Sequence, residues 1–155
     1  MFREMRGRRQ QLSDAEARAI LEAGTSGVLA VAGDDGYPYA VPMSYDYDHD
    51  TGKLYFHCAR SGHKLDALRR CPKASFCVVG QDLVSPSEYT SRFRSVIAFG
   101  TVREMTDDGE KRAAIDRLAR RYAPDDTAEN RAAFIEKEWA LLCMLEMTVE
   151  HATGK

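Results

Sequence analysis

The chain has 155 residues, of which 44% are hydrophobic and 30% are charged, and its formal net charge is -2. This length fits one domain with its own core, and the composition is that of a folded globular protein. The near-neutral charge gives no reason to expect nucleic acid as a partner. No apolar run approaches the roughly 20 residues that span a bilayer. The basic N-terminus lacks the apolar segment of a secretory signal. We therefore expect a single cytoplasmic domain over residues 1–155, with neither nucleic acid nor membrane as a partner.

The N-terminal segment predicts a basic arm followed by a capped helix. Residues 1–11 contain four arginines, which we interpret as a solvated arm that could also lie across a partner subunit. Ser13 and Glu16 have the spacing of a capping box, and Leu12 precedes them as the apolar staple residue. The helix that they open is predicted to end at Gly24.

Two strands follow the first helix. Residues 27–32 form a short apolar run that predicts a strand, and residues 34–36, Asp-Asp-Gly, are typical of a hairpin turn. Residues 37–48 predict the next strand. Pro42 lies inside it, and because proline cannot donate to a ladder, it predicts an edge, a bulge or an opening in the sheet. At an opening, a planar ligand can meet unpaired backbone groups.

The next stretch predicts an anion site. It contains a strand over residues 53–58, a turn through Gly62 and a helix over residues 63–70. The free N–H groups at a helix start carry partial positive charge and attract anions. His63 and Lys64 add cationic side chains at this position, which is unfavourable unless an anion binds there. A phosphate would remove the conflict.

The second half of the chain predicts a strand, a polar loop, a long strand, two helices and a last strand, over residues 73–79, 81–91, 92–105, 107–122, 125–137 and 139–148. Gly100 predicts a bulge or bend in the long strand. Residues 151–155 predict a polar tail. In total, six strands in mostly antiparallel hairpins, with helices at the ends, favour a small barrel.

Several familiar sites are excluded by spacing. The chain has neither a dinucleotide-binding glycine motif nor a P-loop. The acidic run Asp46, Asp48 and Asp50 lacks the glycine and the closing acidic residue of a calcium-binding EF-hand loop, and we expect no metal site. The four cysteines do not have zinc-ligand spacing, and we interpret them as free thiols of a reducing compartment: Cys58, Cys71, Cys77 and Cys143.

Four segments, PYAVPMSYDYD, GKLYFHCARSGHKLDALRRCPKASFCVVG, RSVIAFGTV and EHATGK, together resemble the FMN-binding split-barrel superfamily, the pyridoxamine 5'-phosphate oxidase-like fold. Within it the chain is most similar to the 5-nitroimidazole antibiotic resistance (nitroimidazole reductase) family. The resemblance implies a mainly β fold with α, namely a six-stranded antiparallel split barrel with flanking helices. It also implies a homodimer with two FMN molecules in its interface, and residues 107–137 as a helical insertion before the last strand.

The resemblance also implies a cofactor site. The strand through residues 41–43 would run beside the isoalloxazine ring, the strand end at residues 57–59 would lie along the flavin, and residues 62–64 would form the phosphate-binding turn. Ser95 would reach the flavin from the second subunit, and the C-terminal residues 154–155 would lie near it. The implied cofactor-binding residues are Val41, Pro42, Met43, Ser44, Tyr45, His57, Cys58, Ala59, Gly62, His63, Lys64 and Ser95.

The chain departs from the oxidases of pyridoxamine phosphate at two points. Those enzymes carry a Tyr-Thr pair and a Ser-Arg-Lys run, where this chain has His57-Cys58 and Gly62-His63-Lys64. The departure argues against vitamin B6 chemistry and removes one arginine from the phosphate site.

We therefore predict an FMN-dependent oxidoreductase, in which reduced flavin delivers electrons to a small oxidised molecule such as a nitroaromatic. His57 is the candidate catalytic residue, which would orient the substrate or supply a proton, or else is a satisfied rim histidine. Lys64 is a phosphate ligand or else a solvated helix lysine. The alternative function is a non-catalytic flavin- or haem-binding carrier or sensor on the same fold, with His57 or His63 as a haem ligand.

Overall fold

The structure, a computed structural model, describes residues 1–155. It contains seven strands: β1 (Ser26–Ala32), β2 (Pro38–Ser44), β3 (Asp46–Asp48), β4 (Lys53–Ala59), β5 (Lys73–Ser85), β6 (Thr90–Glu104) and β7 (Leu142–Gly154). The four α-helices are α1 (Asp14–Ala23), α2 (His63–Arg70), α3 (Asp108–Tyr122) and α4 (Ala128–Glu138). None of these helices combines the length and the apolar content needed to cross a lipid bilayer.

All seven strands belong to one antiparallel sheet with the order β2-β1-β5-β6-β7-β4-β3. The two outermost strands, β2 and β3, are consecutive in the chain. The chain therefore joins the two ends of the sheet, and the sheet curls into a split barrel with helices around it. This confirms the predicted mainly β fold class, although the structure has seven strands where the sequence predicted six.

The additional strand arises because the predicted strand over residues 37–48 breaks at Tyr45. The Tyr45 side chain is fully buried, and its hydroxyl donates to the Leu21 carbonyl oxygen at 2.6 Å. Its backbone N–H donates to the Tyr122 hydroxyl at 3.0 Å, and that hydroxyl also contacts the Thr25 carbonyl oxygen. Tyr45 is thus held by α1 and α3, so that β2 pairs with β1 whereas β3 pairs with β4.

Replacing Tyr122 by phenylalanine is expected to destabilise the fold by about 1–2 kcal/mol, because the buried Tyr45 N–H loses its partner. Urea unfolding measures the change. Tyr37→Phe is the matched control, since the Tyr37 side chain is exposed. Equal stability of the two variants would contradict a role for the Tyr122 hydroxyl in holding the break.

The prediction of a polar loop over residues 81–91 is wrong. There β5 and β6 continue as one long hairpin, paired from Gln81 with Arg94 to Ser85 with Thr90, and the turn occupies residues 86–89. The polar side chains and Pro86 indicated a loop, but a two-stranded arm that extends from the barrel needs no buried face. Polar residues are therefore compatible with it.

The prediction of a polar tail over residues 151–155 is also wrong, because β7 continues to Gly154 along β6. The register shifts between Phe99 and Gly100, where Glu150 of β7 is the additional residue. The bulge predicted at Gly100 is therefore present, and it allows β7 to follow the bend of β6 into the last residues. The chain ends in the sheet, where the backbones of Ser95 and Lys155 exchange two hydrogen bonds.

The hydrophobic core has two parts. The main cluster fills the barrel around Phe76, whose ring lies 5.0 Å from the rings of both Tyr45 and Phe56. A smaller cluster, which includes Leu118 and Met144, lies between α3 and the sheet. This second cluster holds α3 against β4 and β7.

A row of apolar side chains also lies on the outer face of the sheet. Pro42 pairs with Val28, Val28 pairs with Cys77, and Cys77 pairs with Ile97, so that one row crosses β2, β1, β5 and β6. Val28 is 40% exposed and Ile97 is 41% exposed. We call these four residues the apolar row.

Candidate functional site

The N-terminus of α2 has no side-chain cap. Gly62 occupies the cap position with φ 138° and ψ 173°, a conformation that favours glycine, and no side chain accepts from the first N–H groups of the helix. A Cβ atom added to Gly62 would meet no atom within 4 Å. The first turn of α2 therefore presents free backbone donors towards open space, as an anion-binding helix start requires.

The two cationic residues at this helix start differ in their partners. The His63 ring lies 4.1 Å from the Tyr39 ring, and its Nε2 atom lies 3.6 Å from an Asp34 carboxylate oxygen. Lys64 is half-buried and has no carboxylate oxygen within 4.0 Å. The unfavourable placement of positive charge at this helix start therefore concerns Lys64 alone, because His63 lies beside the Asp34 carboxylate and the Tyr39 ring.

His57 lies at the end of β4 with an exposed edge, opposite the buried Met144. The protein atoms around its ring lower the pKa of His57 below the ordinary value, and the positive charge of Lys64 lowers it further. The same charge acts on the Cys58 thiol. His57, Cys58 and Lys64 thus share one electrostatic environment, and the His57 imidazole is mainly neutral at pH 7.

We expect the His57 imidazole to titrate below its ordinary pKa of about 6.5. Between the folded and the unfolded pKa the unfolded chain binds more protons, so the stability linked to His57 falls as the pH decreases through that window. Titration by NMR measures the midpoint. Lys64→Gln should raise it, whereas the control Lys137→Gln on α4 should not, and a wild-type midpoint above the ordinary value would contradict this account.

β2 provides the third side of the site. It is hydrogen-bonded to β1 on one side only, so the edge predicted from Pro42 is confirmed. Val41 and Met43 are packed towards the core, whereas Pro42 is exposed and Ser44 is half-buried. The contact between the Tyr39 and His63 rings joins β2 to α2. The edge of β2 is therefore next to the helix start.

Tyr45 and Ser95 lie outside this arrangement. The Tyr45 side chain belongs to the core, and its backbone N–H is bonded to Tyr122, so we do not include it in the proposed site. Ser95 is paired with Lys155, whereas His57 is opposite Met144. Ser95 lies on β6, three strands from β2 in the sheet, and the position opposite it, Lys155, is eleven residues from the position opposite His57. One chain therefore does not bring Ser95, Gly154 or Lys155 to the other predicted residues.

A cavity of about 530 Å³ lies elsewhere, between α1 and the adjoining parts of β1 and β5. Its lining includes Glu16 and Arg94, and none of the predicted site residues lines it. The candidate site is instead an open surface formed by β2, the end of β4 and the start of α2. A planar ligand on such a surface would need a second surface to cover it.

Three residues of this region had no signal in the sequence. Asp34 and Tyr39 bind His63 although they belong to the preceding hairpin. Cys143 lies directly opposite Cys58 although it belongs to the last strand. Only the barrel closure brings these residues together, and no local spacing indicates it.

Comparison with solved structures finds several proteins of similar fold. It is 22% identical to a protein from Bacteroides thetaiotaomicron VPI-5482 described as a candidate 5-nitroimidazole antibiotic resistance protein, with a TM-score of 0.75 over 93% of this chain and 84% of the other. It is 24% identical to an FAD-binding protein from Mesorhizobium loti, with a TM-score of 0.66 over 93% and 94%. It is 26% identical to an FAD- and haem-binding protein from Mycobacterium smegmatis, with a TM-score of 0.75 over 94% and 72%.

Comparison with curated proteins finds no match. A family model described as pyridoxamine 5'-phosphate oxidase matches residues 13–155, which is nearly the whole chain. The match includes every strand and every α-helix of the barrel. The chain therefore belongs to the pyridoxamine 5'-phosphate oxidase-like family.

Proposed function

We propose that this chain is an FMN-dependent oxidoreductase that works as a homodimer and reduces a small oxidised molecule, with nitroaromatics such as nitroimidazoles as the substrate class. The observation that carries the proposal is the uncapped start of α2, where Lys64 has no carboxylate partner and lies near His57. The similarity to a 5-nitroimidazole antibiotic resistance protein and to flavin-binding proteins supports it.

The residues at the start of α2 fit a phosphate monoester. The free N–H groups that follow Gly62 would donate to its oxygens, and the Lys64 ammonium would supply one charge-assisted hydrogen bond. The open space beside Gly62 leaves room for the phosphate, since even a Cβ atom there would touch nothing. The exposed edge of β2 at Val41, Pro42 and Met43 would provide backbone groups for the polar edge of a flat ring.

Bound reduced flavin supplies the electrons for such a reduction. The contribution of His57 would be to orient the substrate. Because its pKa is lowered by the surrounding protein atoms and by Lys64, the imidazole is neutral at pH 7 and offers one N–H donor and one acceptor. A neutral imidazole favours hydrogen bonding to a nitro oxygen over delivery of a proton from an imidazolium ion.

A homodimer would complete the site. Ser95 and the C-terminal residues lie far from α2 in one chain, so they could contribute only to the site of a second copy. The apolar row begins at Pro42, in the candidate site, and crosses four strands with exposed side chains. A second copy packed on this row would remove its apolar surface from water and would cover a ring at Pro42.

The enzymatic role is tested by mixing nitroimidazole with FMN-loaded protein that has been reduced under anaerobic conditions. We expect reoxidation, and we expect His57→Gln to slow it by about 10-fold through loss of orientation. His49→Gln is the control, because His49 lies on an exposed turn. Retained FMN without reoxidation by nitroimidazoles or quinones would reject the reductase.

The second candidate function is a non-catalytic flavin- or haem-binding carrier or sensor. The similarity to an FAD- and haem-binding protein favours it, as does the neutral state of His57, whose imidazole nitrogen could ligate iron. Turnover distinguishes the two functions, because bound flavin with no reduction of any nitro compound or quinone would support the carrier. Addition of haem tests haem binding: a Soret band that is lost in the His57→Ala variant would support it, and an unchanged haem spectrum would reject it.

A further inference from the structure

At the end of β4, Cys58 faces a second thiol, Cys143 of β7, that the proposed flavin site does not include. Cys58 and Cys143 are directly opposite each other on antiparallel strands, so their side chains lie on the same face of the sheet. Opposite residues in such a pair have Cα atoms about 4.5 or 5.5 Å apart, and a disulfide spans about 4.4–6.8 Å. Both cysteines are free thiols, and the Cys143 sulfur lies 4.0 Å from a Glu104 carboxylate oxygen.

A cleft of about 340 Å³ gives access to one of these thiols. Cys143 lines it together with Arg60, Arg69, Lys111 and Glu104. Lys111 is 5% exposed and has no carboxylate partner, since its ammonium group lies 4.2 Å above the Trp139 ring and donates to the Trp139 carbonyl oxygen. Arg69 is paired with Glu104. The cleft therefore contains two cations without a carboxylate partner, Arg60 and Lys111, and also the Glu104 carboxylate, which contacts the Cys143 sulfur.

The two thiols differ in their surroundings. The neighbouring Cys58 thiol, together with the charges of Lys111 and Arg69, lowers the pKa of Cys143 against the opposing effects of burial and of Glu104. The neighbouring Cys143 and burial raise the pKa of Cys58, although Lys64 opposes this. Because Cys143 lines the cleft and Cys58 does not, Cys143 is the thiol that an oxidant in the cleft meets, and Cys58 is the second thiol within reach.

We propose that Cys58 and Cys143 form a reversible dithiol–disulfide pair that is oxidised by hydroperoxides entering the cleft. The Cys143 thiolate attacks one oxygen of the hydroperoxide, the O–O bond breaks, and an alcohol or water leaves with a proton from solvent. The Cys58 sulfur then attacks the resulting sulfenic acid, the S–S bond forms, and water leaves with the Cys58 proton. Overall the two sulfurs lose two electrons and the hydroperoxide gains them.

The disulfide would connect β4 to β7 at the point where β4 enters the turn towards α2. Cys58 is adjacent to His57, and Arg60 and Gly62 follow within the same turn. Oxidation would therefore fix the strand end beside the candidate phosphate site. The pair itself does not depend on the proposed flavin function, because all its groups belong to the chain.

The test uses the full chain with no flavin added. After treatment with hydrogen peroxide and blocking of free thiols, tryptic digestion should give peptides 54–60 and 138–155 joined by a disulfide, and dithiothreitol should separate them. In Cys58→Ser, dimedone should label Cys143. In Cys77→Ser the joined peptides should form as in the wild type. In the wild-type protein, Cys143 should be alkylated at least about 10-fold faster than Cys77 at pH 7.5.

Three results would overturn the proposal, and none of them bears on FMN binding. The joined peptides could be absent from the wild type while Cys143 is unmodified or carries a single oxidation. Dimedone could label Cys58 in Cys143→Ser as readily as it labels Cys143 in Cys58→Ser. Finally, the disulfide could join two copies of the chain, which a mixture of isotopically light and heavy protein would reveal.

Discussion

Replacing Lys64 by alanine is expected to raise the dissociation constant for FMN by about 10- to 100-fold. A hydrogen bond to a charged group contributes about 1.5–3 kcal/mol, and each 1.4 kcal/mol corresponds to about 10-fold in affinity. Lys64 is the only residue of the first turn of α2 with a free positive charge, because His63 is bound to Asp34 and Tyr39. The arginine that the related oxidases carry before this lysine is His63 here, and the other cation of the turn, Arg60, lines the cleft beside Cys143.

Isothermal titration of the protein with FMN and with riboflavin measures this effect. Lys64→Ala should weaken FMN binding and leave riboflavin binding unchanged, since riboflavin has no phosphate. Lys137→Ala is the matched control, because Lys137 is an exposed lysine of α4. An equal loss of affinity for both ligands, or no loss at all, would remove Lys64 from the phosphate site.

Gly100→Ala is expected to destabilise the fold by about 3 kcal/mol, at the upper end of what overpacking costs. A Cβ atom at this position would lie 2.0 Å from the Thr148 carbonyl oxygen and 3.2 Å from the Val149 Cα atom. Both contacts are with backbone, so no side-chain rotation can relieve them. β6 and β7 would have to separate at the bulge that carries β7 to the C-terminus.

Urea unfolding measures this loss, with Gly7→Ala as the control. A Cβ atom on Gly7 would meet only the flexible Gln10 side chain, at 3.2 Å, and a change within about 0.5 kcal/mol is expected there. If Gly100→Ala were as stable as the control, the close approach of β6 and β7 at the bulge would be wrong.

The start of α2 could be predicted from the sequence because its signals are local. Gly62 in the turn and the apolar spacing of the helix indicate the bounds that the structure has, residues 63–70. Pro42 likewise indicated the sheet edge, since a proline removes a donor wherever it lies. The partners of His63 could not be predicted in this way, because Asp34 and Tyr39 reach it only through the closed barrel.

The errors in strand length have a different physical origin. Residues 81–85 and 149–154 are too polar or too mixed to be recognised as strands on their own, and their pairing with β6 depends on non-local hydrogen bonds. The break at Tyr45 depends in the same way on Tyr122, which is contributed by α3. Each of these features is determined by a contact between segments that are distant in the sequence.

The central claim, that the chain binds FMN, is tested most directly by the absorbance spectrum of the purified full-length protein after incubation with FMN and removal of free ligand. FMN binding should give a yellow protein with maxima at about 370 and about 450 nm, as flavins have, and release of FMN on denaturation, identified by its mass. A colourless protein that retains no flavin after this treatment would show that the chain does not bind FMN.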